Sequence, residues 1–213
     1  MNACILLAAL WCGPPVVEDG SLLFLENSNQ FVELYTGSDV THVAVLLNHE
    51  GEPWVYEATP SEVRRVLLDD YYDELARLNQ RRSDSQKIRI TLVRPRDAYR
   101  DEQVTALREM LKSQLGRRYS VKGYVRGKSD GIHCAELAAR ALCAASVLSL
   151  DRCQAESPAT LLEKVKPVSR PLATIALAEP QAQLDWCTRS QQHWSSFGNW
   201  CQWSCWEAWT FCW

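Results

Sequence analysis

The sequence has no CxxC pair, no run of about 20 apolar residues and no basic cluster interleaved with aromatics. Each absence removes a class of protein. Without CxxC, a structural zinc knuckle has no ligand pair to start from. Without a run of about 20 apolar residues, there is no spanning helix. The balance of 23 Lys and Arg against 26 Asp and Glu gives a formal net charge of -3. The short basic stretches "RRSDSQK" and "GRRYSVKGYVRGK" read as solvated loops, so no nucleic-acid partner is expected. No internal repeat of about 20–50 residues is visible.

What is present is enough for one domain with extensions. The chain has 213 residues, 46% hydrophobic and 23% charged. Its nine cysteines are Cys4, Cys12, Cys134, Cys143, Cys153, Cys187, Cys201, Cys205 and Cys212. An odd total leaves one thiol unpaired in a monomer, and neither the disulfide pattern nor the redox compartment follows from it. The opening "MNACILLAALWCGPP" contains an apolar run the length of an export-signal core. No Lys or Arg precedes that run and no clear small-x-small cleavage site follows it. An envelope or secreted location and a cytoplasmic one therefore both stay open. Residues 1–15 read as an N-terminal extension or signal remnant and 16–175 as the folded domain. Residues 176–213 read as a Trp- and Cys-rich tail, expected to be poorly ordered. That tail holds seven of the nine tryptophans, and Trp200, Trp203, Trp206 and Trp209 recur every third residue. Such spacing smears around a helix and forms no single stripe. An aromatic surface for membrane or glycan contact is the functional alternative.

Along the domain, helical and strand patterns alternate irregularly. "SLLFL" over 21–25 reads as a short buried strand. "NSNQFVELYTG" reads as a helix stopped by Gly37. "THVAVLL" and "PWVYEA" read as two strands around the turn-rich "NHEG". "LLDDYYDELARLNQ" reads as helix and "KIRITLVRP" as an alternating strand. In "DEQVTALREMLKSQLG", Val104, Leu107, Leu111 and Leu115 share a helix face and Gly116 ends it. After a loop over 117–133, "CAELAARALCAASVL" reads as a second strong helix. "SPATLLEKV" starts with Ser157 as N-cap and Pro158 at the first helical position. The order implies an α+β fold, a small antiparallel sheet packed with helices.

Two features suggest chemistry. If Asn48 to Gly51 form a four-residue loop, Leu47 faces Glu52, and counting outward puts His42 opposite Glu57. Facing residues have Cβ atoms about 4.5–5.5 Å apart, within reach of an imidazole–carboxylate bond. The bond fixes the ring tautomer and leaves the other nitrogen as a base. The alternative is an incidental surface pair, although "VAVLL" is too apolar for an exposed strand. The second feature is Cys134 at a helix start. There, free N–H groups and the helix dipole favour a thiolate and can hold an oxyanion. A helix-capping cysteine facing a His–carboxylate pair is a workable nucleophilic triad. A buried, inert cysteine is the alternative, and it suits Cys143 well.

These residues carry a resemblance. Gly20-Ser21, Ser38-Asp39-Val40-Thr41-His42 and Tyr56-Glu57-Ala58 resemble the first half of the permuted papain-like amidases, the YiiX/YaeF-like branch of the NlpC-like cysteine peptidases. Leu115, Gly116 and Tyr119 match that family's Leu-Gly-x-x-Tyr element. Cys134, Glu136 and Leu137 match its Cys-Ser-Glu-Leu segment, and Ser157-Pro158 has a counterpart. The likeness spans about residues 16–170. Three departures stand out: Ser21 replaces an Asp, His133 replaces the aromatic before the cysteine, and Ala135 replaces the following Ser. The resemblance implies a circularly permuted papain-like fold in which His precedes Cys. It implies an amide or ester hydrolase with Cys134 as nucleophile, His42 as base and Glu57 orienting His42, working without metal or organic cofactor. His133 adjoins the nucleophile but is expected to point elsewhere. Trp54, Tyr56 and Tyr119 are candidates to line a substrate pocket, with core packing as their other use. The implied substrate is a small cell-wall peptide or a lipid-like amide, with membrane contact and oligomeric state open. A lipid acyltransferase resembling the lecithin–retinol acyltransferases and a non-catalytic binding module that kept the fold are the rival readings.

Overall fold

Both faces of the sheet are covered, and the strand sequences already reflect it. The computed structural model describes residues 17–122, 124 and 130–177. Its six strands are β1 (Leu22–Glu26), β2 (Val40–His49), β3 (Glu52–Ala58), β4 (Val63–Leu67), β5 (Arg89–Val93) and β6 (Ala173–Ile175). They form one antiparallel sheet in the order β4-β3-β2-β1-β5-β6. Central β1 is apolar at four consecutive positions because both its faces are buried. Leu22 and Phe24 point into one core, Leu23 and Leu25 into the other.

Helices make the outer layers. These are α1 (Gln30–Thr36), α2 (Leu68–Asn79), α3 (Asp101–Gln114), α4 (Cys134–Ala144) and α5 (Pro158–Val165). The larger core joins Val43, Val45 and Leu47 of β2 to Leu107 and Leu111 of α3, Leu137 and Leu142 of α4, and Leu161 of α5. The second core joins Ala44, Leu46 and Val55 to Leu68, Tyr71 and Leu75 of α2. Each fully buried Leu contributes about 1.5–3 kcal/mol of transfer free energy. Ala135, Ala138, Ala139 and Ala141 are all buried, and their small side chains let α4 lie close to the sheet. Among the described residues no helix is long and apolar enough to cross a membrane.

The expected helices and strands are present, with four corrections. The β2–β3 hairpin has a two-residue loop, because His49 pairs with Glu52. Glu50 and Gly51 both take positive φ, 55° and 86°, the primed turn that matches strand twist. A Glu gives little hint of φ > 0, so the sequence suggested a longer loop. β4 and β6 were not anticipated; "VRRVL" reads as charged surface, and β6 is a three-residue edge. The α4 helix stops at Ala144, four residues short of the expected run, because Ser146 adopts φ 54° and turns the chain. Cys143 is half-buried, not fully buried, with its Sγ 3.6 Å from Cys153 Sγ. The N-terminal run and the Trp-rich tail lie outside the described residues.

Candidate active site

The two-residue loop shifts the hairpin count by two. Continuing the observed register, Glu57 faces Ala44, and His42 lies diagonally from it. A shift of two preserves the face, because side chains alternate with period 2. Diagonal neighbours are about 7–8 Å apart at the backbone, still within reach of long side chains. The bond forms: His42 Nε2 lies 2.8 Å from Glu57 Oε2. Both groups are sheltered, with side chains 16% and 5% exposed. The pair is therefore no surface accident.

A bulge sits immediately before His42. Leu25 pairs with His42 but Glu26 pairs with Val40, so Thr41 is the extra residue. Its hydroxyl accepts from the N–H groups of Ser28 (2.9 Å) and Asn29 (3.2 Å). This ties the entrance of α1 to the strand that carries His42.

The sequence reading missed Arg64. It lies opposite Glu57 across β3–β4 on the face that α2 covers. Arg64 Nε donates to Glu57 Oε1 at 2.8 Å, and Nη2 approaches the same oxygen at 2.6 Å. Its Nη1 and Nη2 also bond Glu74 of α2 at 3.2 and 2.6 Å. One carboxylate oxygen thus serves the imidazole and the other the guanidinium. Burial alone would raise the Glu57 carboxyl, but bonding and charge from His42, then from Arg64, hold it below its ordinary value. Beneath it Tyr71 is kept protonated, first by burial and then by the Glu57 charge. Only recognition of β4 as a strand would have paired Arg64 with Glu57.

Cys134 is the first residue of α4, and the chain before it is pinned. Ile132 N–H donates to Arg118 O at 2.9 Å, and Tyr119 bridges Ile132. Gly131 has no room for a Cβ, which would meet Ser120 Cβ at 2.5 Å and Arg118 O at 2.8 Å. His133 caps the helix. Its Nδ1 accepts from Glu136 N–H at 3.3 Å, and its Nε2 donates to Gln154 O at 3.1 Å. His42 bonds Glu57 through Nε2, which leaves Nδ1 for its interaction with Cys134.

The electrostatics follow. Burial alone would push the Cys134 thiol up. Attraction to His42, with hydrogen bonding to His133 and His42, outweighs burial and brings it down to about 6. Burial likewise opposes charge on His42, but the Cys134 thiolate and the Glu57 carboxylate raise it to about 10. Between these values the pair is a thiolate beside an imidazolium, and its titrations belong to the pair, not to either residue.

Cys134 is only 3% exposed, and it lines a pocket that is partly open to solvent. Val32 and Tyr35 of α1, Tyr119, Tyr124, His133 and Pro158 are among its walls. Of the three aromatic candidates, Tyr119 stands in this lining. Tyr56 is 2% exposed in the larger core, and Trp54 lies under the Arg65 guanidinium, 4.8 Å from its ring centroid. Neither lines this cavity.

A helix-borne thiol, a strand-borne imidazole and a carboxylate on the next strand, with His earlier in the chain than Cys, define the arrangement to be compared. Residues 16–169 match the family model described as permuted papain-like amidase enzyme, YaeF/YiiX, C92 family. The chain belongs to that family. Permuted papain-like amidases are cysteine peptidase-type enzymes, and this chain is one of them. The chain is similar in fold to the metalloprotein YiiX from Escherichia coli. That likeness has 17% identity over 76% of this chain and 98% of the other, with a TM-score of 0.55. No curated protein matches the chain. Although the YiiX structure is titled a metalloprotein, no group of three or more His, Cys, Asp or Glu among the described residues of this amidase is placed to hold a metal ion.

Proposed function

We propose that this permuted papain-like amidase cleaves an amide or ester bond through an acyl-thioester on Cys134. The observation that carries this reading is the 2.8 Å His42–Glu57 bond beside a thiol drawn down to about 6 by His42. The Cys134 thiolate attacks the substrate carbonyl carbon, forming the C–S bond and pushing the π electrons onto oxygen. The N–H of Cys134, at the start of α4, supplies one donor to that oxyanion. The tetrahedral species collapses as the leaving nitrogen or oxygen takes the proton from His42 Nδ1, and the C–N or C–O bond breaks. Water then attacks the thioester while Nδ1 accepts its proton. The C–S bond breaks, the carboxylic acid leaves, and thiolate and imidazolium are restored. Glu57 holds the ring in position throughout.

The test is direct. An activated ester should acylate Cys134, seen as an intact-mass adduct that disappears over time and maps to that residue. Cys134→Ala should give no adduct, and His42→Ala should slow turnover by roughly 10²–10⁴. A wild-type enzyme that turns over substrate without acylating Cys134 would overturn the mechanism.

A further inference from the structure

Two more thiols meet at the other end of α4. Cys143, in the last turn of α4, and Cys153, the first residue of a short 3₁₀ turn (Cys153–Ala155), are both half-buried and free. They are 10 residues apart in sequence, and the chain reverses between them. Ser146 takes φ 54°, and Val147 N–H donates to Leu142 O at 2.9 Å. Helix side chains lean toward the N-terminus, so Cys143 reaches back toward the turn that carries Arg140. Cys153 lies there, within the influence of Arg140 and Glu136. Its thiol donates to Cys143 Sγ at 3.6 Å, so the two sulfurs are in contact. Among the described residues no group of three or more His, Cys, Asp or Glu could make this pair a metal site.

The contact bears on the active thiol through one residue. Gln154 follows Cys153, and its carbonyl accepts from His133 Nε2, the ring that caps α4 beside Cys134. A covalent link at Cys153 would therefore tie both ends of α4 to one turn. We propose that Cys143 and Cys153 are a modification site, forming a reversible disulfide by exchange with a small disulfide of the glutathione type. One protein thiolate attacks a sulfur of the small disulfide, giving a mixed disulfide and releasing one small thiol. The other protein thiolate attacks the protein sulfur of that mixed disulfide, and the second small thiol leaves. The protein thiols lose two protons and two electrons, and the small disulfide is reduced to two thiols.

The experiment holds the full-length wild-type enzyme in mixtures of reduced and oxidised glutathione, with and without concentrated guanidinium chloride. Burial, then the bond and charge of Cys143, push the Cys153 thiol up to about 11. Exchange at this thiol is therefore slow, and each mixture is left until its composition stops changing. Free thiols are then blocked with a maleimide under denaturing, mildly acid conditions, and the unreduced protein is digested with trypsin. Cleavage after Arg140, Arg152 and Lys164 puts Cys143 on peptide 141–152 and Cys153 on 153–164, with Cys134 apart on 129–140. The linked pair of peptides should form. Its equilibrium constant should be at least about 30-fold larger in the folded protein than in the denatured chain, the lower end of what a native disulfide contributes to stability. Circular dichroism checks the fold in the arm without denaturant. A ratio near one would mean that the fold does not present the two sulfurs for bonding, and the proposal would fall. So would Cys143 and Cys153 ending as separate glutathione adducts, or either one linked to a cysteine elsewhere in the chain. Acylation of Cys134 plays no part in this readout, so these results leave the hydrolase reading as it stands.

Discussion

Replacing His42 by alanine should move the titration of Cys134 by about three units while changing its reactivity at neutral pH far less. Burial is the largest influence on this thiol and acts upward, and His42 is the main opponent. Without the imidazolium, the midpoint should rise from about 6 to at least the ordinary thiol value of 9. At pH 7 the thiolate fraction then falls from roughly 90% to roughly 1%, about 90-fold. The remaining thiolate is more basic and more nucleophilic. With a Brønsted slope of about 0.4–0.5, three units give back roughly 16- to 30-fold. The net loss toward a small disulfide at pH 7 is only about three- to sixfold, and above pH 9 the variant should react faster than wild type. The informative measurement is therefore the midpoint, not the rate at one pH. It is read by quenching at intervals from pH 4 to 11 and quantifying the Cys134 peptide by mass spectrometry, so that Cys143 and Cys153 do not contribute. The fold should survive, because Arg64 still holds the buried Glu57 carboxylate; circular dichroism checks this. A midpoint that stays near 6 would mean that the α4 terminus or His133 lowers the thiol, and the ion-pair reasoning would fail.

Four further outcomes follow from the same structure. The kcat/KM of wild type should be bell-shaped in pH, rising through about 6 as the thiolate forms and falling through about 10 as His42 loses the leaving-group proton. Glu57→Gln keeps a hydrogen-bond partner but removes the charge that helps raise His42, so the alkaline limb of that profile should move toward neutrality. Arg64→Ala should cost about 1–3 kcal/mol, the value of its bonds to Glu57 discounted for a side chain 36% exposed. At roughly 2–4 °C per kcal/mol, Tm should fall by about 2–12 °C. Because the folded Glu57 carboxyl lies below its ordinary 4.5, that contribution is present above pH 4.5 and lost as pH falls further, so the two melting curves should converge in acid. Gly131→Ala forces a Cβ to within 2.5 Å of Ser120 Cβ, and thermal melts should show a loss of about 1–3 kcal/mol.

The misjudged hairpin still left His42 and Glu57 within bonding reach, for a simple reason. The loop is two residues shorter than counted, and His42 and Glu57 are diagonal instead of opposite. An odd error would have sent Glu57 to the other face; an even one left both side chains on the same face and within reach. The helix starts were legible for local reasons. Ser157-Pro158 is a cap followed by the one helical position that tolerates proline, and the glycine-containing loop before Cys134 breaks into an alanine-rich run. Arg64 was not legible, because its role needs β4 to pair with β3, and nothing local in "VRRVL" announces a partner strand.

Periodicity, caps and the spacing of His42, Glu57 and Cys134 are local properties of the chain, set by side-chain alternation and helix-terminus chemistry. They determined the element types, the shared face of the imidazole and carboxylate, and the thiol at a helix start. The tertiary structure alone decided the rest. It brought α4 to β2, turned the second Glu57 oxygen onto Arg64, and drew the polar ends of His133, Glu156 and Ser157 into bonds with Gln154 and Thr160. Those outcomes depend on which distant groups satisfy each buried donor and acceptor, and that choice exists only once the layers have packed.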